Sequence, residues 1–266
     1  MEIIISVKHV IKKYKEVLAV NDISFDVYKG EIFGFLGPNG AGKSTTIKML
    51  TTLLQPTSGE LSLAGKDVMH EQNAARKVFG IVFQDPSLDA DLTALENLQL
   101  HAVLYKLERK KTMQRIEELL KLVELWDRKD SLVKTFSGGM KRRLEIARGL
   151  LHHPQILFLD EPTLGLDAQT RNLLWNYIKR LNKEEGMTIF FTTHYLEEAE
   201  AVAKRIAIID HGKIVASGTA DELKKQTATD NLENAYLQLT GTAVRDETLS
   251  SADSSRERIR SMITNR

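Results

Sequence analysis

The sequence predicts an α/β fold with a mainly parallel central sheet, short strands at the N-terminus and an inserted α-helical subdomain. Three observations carry this. Apolar runs recur at Ile32–Leu36, Phe79–Phe83, Ile156–Leu159 and Met187–Phe191, each short enough for a buried strand. Stretches with apolar residues at helical spacing separate them. The polar residues Gln84, Asp160 and His194 stand at or just past the ends of three runs. In open α/β sheets that carboxyl edge is where ligands sit.

Before the first strong run, Ile3–Ile5, Val17–Val20 and Ile23–Val27 read as short strands. They are divided by turn signals such as Asn21-Asp22 and Lys29-Gly30. Tyr14 falls in a polar turn among Lys12, Lys13 and Lys15. An aromatic there serves either to stack on a base or as plain surface. Thr45 to Leu54 has Ile47, Leu50 and Leu54 along one helical face, and Glu60–Ala64 is a further short strand. Gln84 either terminates its strand or reaches into a site. From Leu88 to about Val133 the pattern turns helical. Thr93-Ala94-Leu95-Glu96 is a capping box, and Arg109 to Val123 is amphipathic through Met113, Ile116, Leu119, Leu120 and Val123. Ser137 is a natural N-cap for the next helix, with Leu144, Ala147, Leu150 and Leu151 on its face. Lys141, Arg142 and Arg143 read as a solvated or partner-facing surface. Asp167 caps a helix from Ala168 to about Lys183, and Tyr195 to Ala203 is another. Residues 205–210 and 213–216 form a hairpin around His211-Gly212, and Thr219-Ala220-Asp221-Glu222 caps a last short helix.

At 266 residues the chain has ample length for a core. Its 42% hydrophobic and 27% charged content is that of a globular domain. A net charge of +1 excludes a bulk field drawing it onto nucleic acid or anionic lipid. With no cysteine, disulfides and thiolate metal sites are excluded. No apolar run approaches the roughly 18 residues a membrane span needs, so the chain cannot form a pore alone. Met1-Glu2-Ile3-Ile4-Ile5 lacks the basic start of a secretory signal.

The chemistry centres on Gly37-Pro38-Asn39-Gly40-Ala41-Gly42-Lys43-Ser44, which matches G-x-x-x-x-G-K-[ST] between a strand and a helix. Glycines there turn backbone N–H groups inward, and the helix dipole adds positive potential. Lys43 brings a cation to the outer phosphates of a nucleoside triphosphate, and the Ser44 hydroxyl can ligate Mg²⁺. Ser137-Gly138-Gly139 opens a second helix able to hold an anion, or is an ordinary serine cap. Asp160-Glu161 after a buried run reads as a metal-supporting carboxylate followed by a base that polarises water, rather than a simple strand exit.

The set Gly37–Ser44, Gln84, Ser137-Gly138-Gly139, Asp160-Glu161, Asp167 and His194, in this order, resembles the ATP-binding cassette (ABC) ATPases over residues 2–225. The resemblance implies a P-loop NTPase fold of ABC type, its mainly parallel central sheet joined by an N-terminal antiparallel β subdomain, with ATP and Mg²⁺ as bound groups. It implies Tyr14 stacked on adenine and Gly37, Pro38, Asn39, Gly40, Ala41, Gly42, Lys43, Ser44 and Thr45 around the phosphates. It also implies Ser44 and Gln84 on Mg²⁺ with Asp160 in support, Glu161 as general base and His194 at the γ-phosphate. Ser137, Gly138 and Gly139 would reach the ATP of a second copy in a head-to-tail homodimer. Met140 and Phe136 depart from the Gln and Leu usual beside this signature, at positions that supply neither hydroxyl nor bare amides. Met140, and residues 231–241, resemble a branch exporting daunorubicin and related drugs. The expected role is therefore an ATPase at the cytoplasmic face of the membrane, powering export through a separate integral membrane subunit, with no nucleic acid partner. A soluble ABC ATPase in iron–sulfur assembly, or on nucleic acid or the ribosome, is the alternative. Residues 1–225 form the expected ATPase domain with 86–135 inserted. Residues 226–249 form an extension and 250–266 a basic, flexible tail.

Overall fold

The computed structural model describes residues 2–241. A four-stranded antiparallel sheet comes first, ordered β2-β1-β4-β5, from β1 (Ile3–Tyr14), β2 (Val17–Tyr28), β4 (Ser58–Leu63) and β5 (Lys66–Asp67). A six-stranded sheet follows, ordered β10-β9-β3-β8-β7-β6. Its strands are β3 (Ile32–Leu36), β6 (Phe79–Val82), β7 (Ile156–Asp160), β8 (Thr188–Thr193), β9 (Arg205–Asp210) and β10 (Lys213–Gly218). All neighbours pair parallel except β9 with β10.

The N-terminal strands are longer than their turn signals predict. β1 and β2 each run 12 residues, and Asn21-Asp22 lies inside β2. Pairing passes from Val10↔Ile23 to Lys12↔Val20, so β2 carries an extra residue, and Asp22 takes up the bulge at φ 55°. His9 does the same for β1 at φ 50°. Turn-forming residues here bend a continuous strand rather than end it.

The central strands are buried on both faces, which is why they read as unbroken apolar runs. Their alternate residues feed two cores. Leu157, Leu159, Ile189 and Phe191 face one side, with the helices. Ile156, Phe158, Phe33, Phe35 and Phe190 face the other, with the antiparallel sheet and α1 (Lys43–Leu50). On that side Phe25, Phe33, Phe35 and Phe190 cluster with ring centroids 5.5–6.0 Å apart.

Between β3 and β7 the chain adds α1, α2 (Gln72–Val78), α3 (Ala94–Leu104), α4 (Arg109–Leu122) and α5 (Gly138–Gly149). The Thr93 capping box forms as expected: the Thr93 hydroxyl accepts from Glu96 N–H at 3.1 Å, and Glu96 accepts from Thr93 N–H at 2.8 Å. Ile116, Leu119 and Leu120 of α4 are buried, whereas Met113 is 39% exposed and lies off the core. Beyond β7 come α6 (Ala168–Glu185), α7 (Leu196–Val202), α8 (Ala220–Gln226) and α9 (Leu232–Thr240). Asp167 caps α6 through Thr170 N–H at 2.9 Å, and α9 packs through Leu232 and Ala235 onto a small third core. The expected tail at 250–266 lies outside the described residues.

Where α3 meets the end of α5, Tyr105 and His152 stack with centroids 4.0 Å apart and His101 lies 4.8 Å from Tyr105. Burial pushes the His101 imidazole down to about 4, with the Arg148 and His152 charges adding to the shift. The native chain therefore holds His101 neutral. Between its ordinary 6.5 and about 4, the unfolded chain takes up a proton that the native one refuses. Stability is complete above that window and falls as pH drops through it, by an expected amount on the order of 2 kcal/mol. Urea midpoints across this pH range should show the fall in wild type and a flatter profile in His101→Phe.

Candidate functional site

Because β3, β8, β7 and β6 run parallel and adjacent, their carboxyl ends share one edge of the sheet. Leu36 pairs with Thr193, Asp160 with Thr192, and Val82 with Leu159. Gly37, His194 and Glu161 follow directly, and Gln84 comes one residue further on, after Phe83, so positions far apart in sequence converge. A cleft of about 430 Å³ at this edge is lined by Ala19, Asn39, Gly40, Gly42, Lys43, Ser44, Thr45, Gln84, Glu161, Leu164 and His194.

The glycine loop is held tight to the sheet. Gly37 N–H donates to Thr193 C=O at 3.2 Å, extending the β3–β8 ladder. A Cβ at Gly37 would lie 2.3 Å from Ile209 O, and one at Gly42 2.6 Å from Ala19 O, where Gly42 also sits at φ 109°. Ala41 C=O accepts from Gly212 N–H at 3.0 Å. Gly42 is the N-cap of α1 and offers no side chain to the first turn, leaving its amides for an anion.

Lys43, 4% exposed, donates to Gly37 O at 2.8 Å and Pro38 O at 3.1 Å. Its ammonium also lies 3.1 Å from Glu161 Oε1. The other oxygen of Glu161 is 3.1 Å from His194 Nδ1. Glu161 thus bridges the loop lysine and the strand-end histidine. It does so from a left-handed backbone at φ 45°, costly for a non-glycine residue, with its N–H bonded to Thr192 Oγ1 at 3.0 Å.

Asp160 stands behind the cleft. It accepts from Thr192 Oγ1 at 2.6 Å and Ser44 Oγ at 3.2 Å. Burial pushes its carboxyl above the usual carboxylate range, against the pull of those two hydroxyls. Thr192 is a residue that strand reading alone passes over. Fully buried, it ties Asp160 and Glu161 together, and a hydroxyl at the end of an apolar run is the signal that marks it. Glu198 is another. At 4% exposure it accepts from Thr163 at 2.6 Å and Thr193 at 3.1 Å, and lies 3.3 Å from Arg171 Nε. It joins the segment after Glu161 to the segment before His194.

Among the described residues no cluster of three His, Cys, Asp or Glu side chains forms a metal cage. Ser44 and Asp160 nevertheless bring hard oxygens together, with Gln84 lining the same cleft, and that donor set suits Mg²⁺ sharing its shell with phosphate and water.

Tyr14 and Ser137-Gly138-Gly139 do not line this cleft. Tyr14 ends β1, 42% exposed, with Lys12 Nζ 5.1 Å from its ring centre. Ser137 and Gly138 are exposed at the start of α5, where Ser137 Oγ accepts from Met140 N–H at 3.3 Å. Gly139 is packed so that a Cβ would meet Thr170 at 2.4 Å. Arg142 is buried, not solvated as its charge predicts, because backbone carbonyls and Glu145 surround its guanidinium.

Residues 20–164 match the ABC transporter family. The chain is 41% identical over 222 residues to the daunorubicin resistance ATP-binding protein DrrA3 of Streptomyces coeruleorubidus, covering 84% of this chain and 70% of that one. It is 42% identical over 235 residues to the linearmycin resistance ATP-binding protein LnrL of Bacillus subtilis (strain 168), covering 88% and 74%. The fold superposes with a TM-score of 0.73 and 30% identity on the ATP-binding cassette MJ0796, solved as a dimer in a post-hydrolysis state with ADP and Pi, covering 81% of this chain and 98% of that one. With this cleft and these relatives, the chain belongs to the ABC transporter family and is an ABC ATPase.

Proposed function

We propose that the chain is the ATP-binding and hydrolysing subunit of an exporter. Two copies close head to tail on two ATP and drive a drug, lipid or similar substrate through a separate integral membrane subunit, at the cytoplasmic face of the membrane. One observation carries the reading. A single copy gathers the glycine loop, Gln84, Glu161 and His194 in one cleft, yet leaves Ser137 and Gly138 exposed outside it. A second copy, reversed, would bring that serine-capped helix start onto the nucleotide.

In this reading Gly37 to Thr45 wrap the phosphates and Tyr14 stacks on adenine. Ser44 and Gln84 would hold Mg²⁺ with Asp160 in support, and the ion would neutralise phosphate charge. An incoming phosphate competes with Glu161 for Lys43. That exchange frees the carboxylate to polarise water, while His194, already 3.1 Å from Glu161, is placed for the γ-phosphate. ATP can close the dimer only through contacts made in the closed state alone. Shifting from mostly open to mostly closed takes about 5 kcal/mol, which a few charge-assisted hydrogen bonds of about 1.5–3 kcal/mol each supply. Hydrolysis removes the bridging anion.

No helix among the described residues is long and apolar enough to cross a membrane, and in this reading a separate subunit supplies the crossing. Within residues 1–225 the helical insert 86–135 is the proposed docking surface, and 226–249 an extension. The insert exposes Leu100, Val103 and Leu104 on α3, the last two by more than 70%. Export as the direction is supported by the resistance relatives. Purification of the tagged chain from detergent-extracted native membranes should bring down an integral membrane protein. Val103→Asp with Leu104→Asp should cut that recovery about tenfold, a change of 1.4 kcal/mol, with ATP binding retained. Ribosomes or nucleic acid in place of a membrane protein would instead favour the soluble alternative.

A further inference from the structure

The segment that carries Gln84 is gripped by the helix that Ser137 opens. Arg142 reaches across from α5 and donates to Phe83 C=O, and to Gln84 C=O at 3.1 Å. Its guanidinium pairs with Glu145 at 3.2 Å. Glu145 in turn accepts from Ser87 N–H at 2.8 Å and Ser87 Oγ at 3.3 Å. Arg148 closes the bracket on Ser87 C=O at 2.6 Å. These three side chains lie three residues apart, on one face of α5. Both members of the central pair are nearly inaccessible, at 6% for Arg142 and 0% for Glu145. The far end of α5 is seated on the sheet as well. A Cβ at Gly80 of β6 would lie 2.1 Å from Gly149 O, so helix and strand touch backbone to backbone.

A buried ion pair is a poor way to gain stability, since two charges must leave water and apolar residues of like volume do as well. Beyond the bond between its two members, this one gives its hydrogen bonds to a loop. We propose that Arg142 and Glu145 are positioning residues that lock the Gln84 segment to α5, so that capture of the partner's nucleotide at the Ser137 end sets Gln84 in the chain's own cleft. The proposal rests on the head-to-tail sandwich. It adds that the two nucleotide sites communicate through α5 of each chain: Ser137 senses one site, and Gln84 acts in the other.

The test is steady-state ATP hydrolysis by the full chain, comparing wild type, Arg142→Met/Glu145→Leu and Arg142→Lys. The double variant removes both charges and keeps apolar volume, so neither charge is left unpaired. Arg142→Lys keeps the charge beside Glu145 but loses the fork that holds two carbonyls. ATP affinity of the monomer should stay within about twofold, because no nucleotide contact is removed. The Hill coefficient for ATP should be about two in wild type, the ceiling for a pair of sites, and should fall to about one in the double variant and part way in Arg142→Lys. The kcat should fall on the order of tenfold. Loss of packing alone would lower the melting temperature without moving the Hill coefficient. Unchanged cooperativity in either folded variant overturns the proposal, provided Glu161→Gln still forms ATP-dependent dimers. Absence of those dimers would overturn the sandwich itself, and this inference with it.

Discussion

Glu161→Gln is expected to abolish turnover while ATP stays bound, with kcat falling on the order of 10³-fold. Glutamine has the same shape: it can keep its one oxygen toward Lys43 and turn its amide nitrogen toward His194 Nδ1, each 3.1 Å from a different oxygen of the carboxylate. It cannot take a proton from water. It also no longer competes as an anion for Lys43, so the affinity for ATP should hold or rise. With hydrolysis blocked, the bridging triphosphate persists and closed pairs should accumulate. Light scattering of the purified variant with ATP and Mg²⁺ should show the mass doubling, and ADP should not produce it. A variant that hydrolyses ATP at the wild-type rate would remove Glu161 from the role of base. One that binds ATP but stays monomeric would remove the sandwich.

Lys43→Ala should act earlier, on binding itself. The ammonium is buried in the loop, where it would make charge-assisted contacts to a bound phosphate. Two such contacts at about 1.5–3 kcal/mol each correspond to a loss of affinity on the order of 10²–10⁴-fold. The same change leaves Glu161 buried with His194 as its remaining partner, and this should lower the stability of the nucleotide-free chain by about 3 kcal/mol. The two effects are separable. Adding Glu161→Gln to Lys43→Ala should recover most of the stability and none of the affinity, since the charge left without its lysine is then gone. Calorimetric titration with ATP and urea unfolding read the two quantities. Wild-type affinity in Lys43→Ala would count against the lysine as the phosphate ligand.

The parts of the fold that were legible are those in which local pattern and burial agree. Ile32–Leu36 and Ile156–Asp160 are short apolar runs because their strands are covered on both faces. The caps at Thr93, Ser137, Asp167 and Thr219 were readable because a side-chain oxygen near a helix start satisfies a local amide, whatever the rest of the chain does. Helix α2 gave no such signal: Ala75 is its only buried residue, so no apolar stripe marks it. Asn21-Asp22 misled because turn residues also serve bulges, and only the pairing partner shows which is present.

The site divides in the same way. Residue types at the glycine loop, at Asp160-Glu161 and after Ser137 carry their chemistry in their local spacing, so the sequence by itself determined that this chain binds and splits a nucleoside triphosphate. Thr192, Glu198 and the Arg142–Glu145 bracket act on groups 31 to 59 residues away, or on elements that meet only in three dimensions. A hydroxyl in a strand or an arginine on a helix looks the same in sequence whether it faces water or a buried carbonyl. The tertiary structure decided that Glu161 bridges Lys43 and His194, and that Ser137 lies outside its own chain's cleft. The physical reason is that parallel strands bring distant residues to one edge, and no local rule of spacing records which strands will be neighbours.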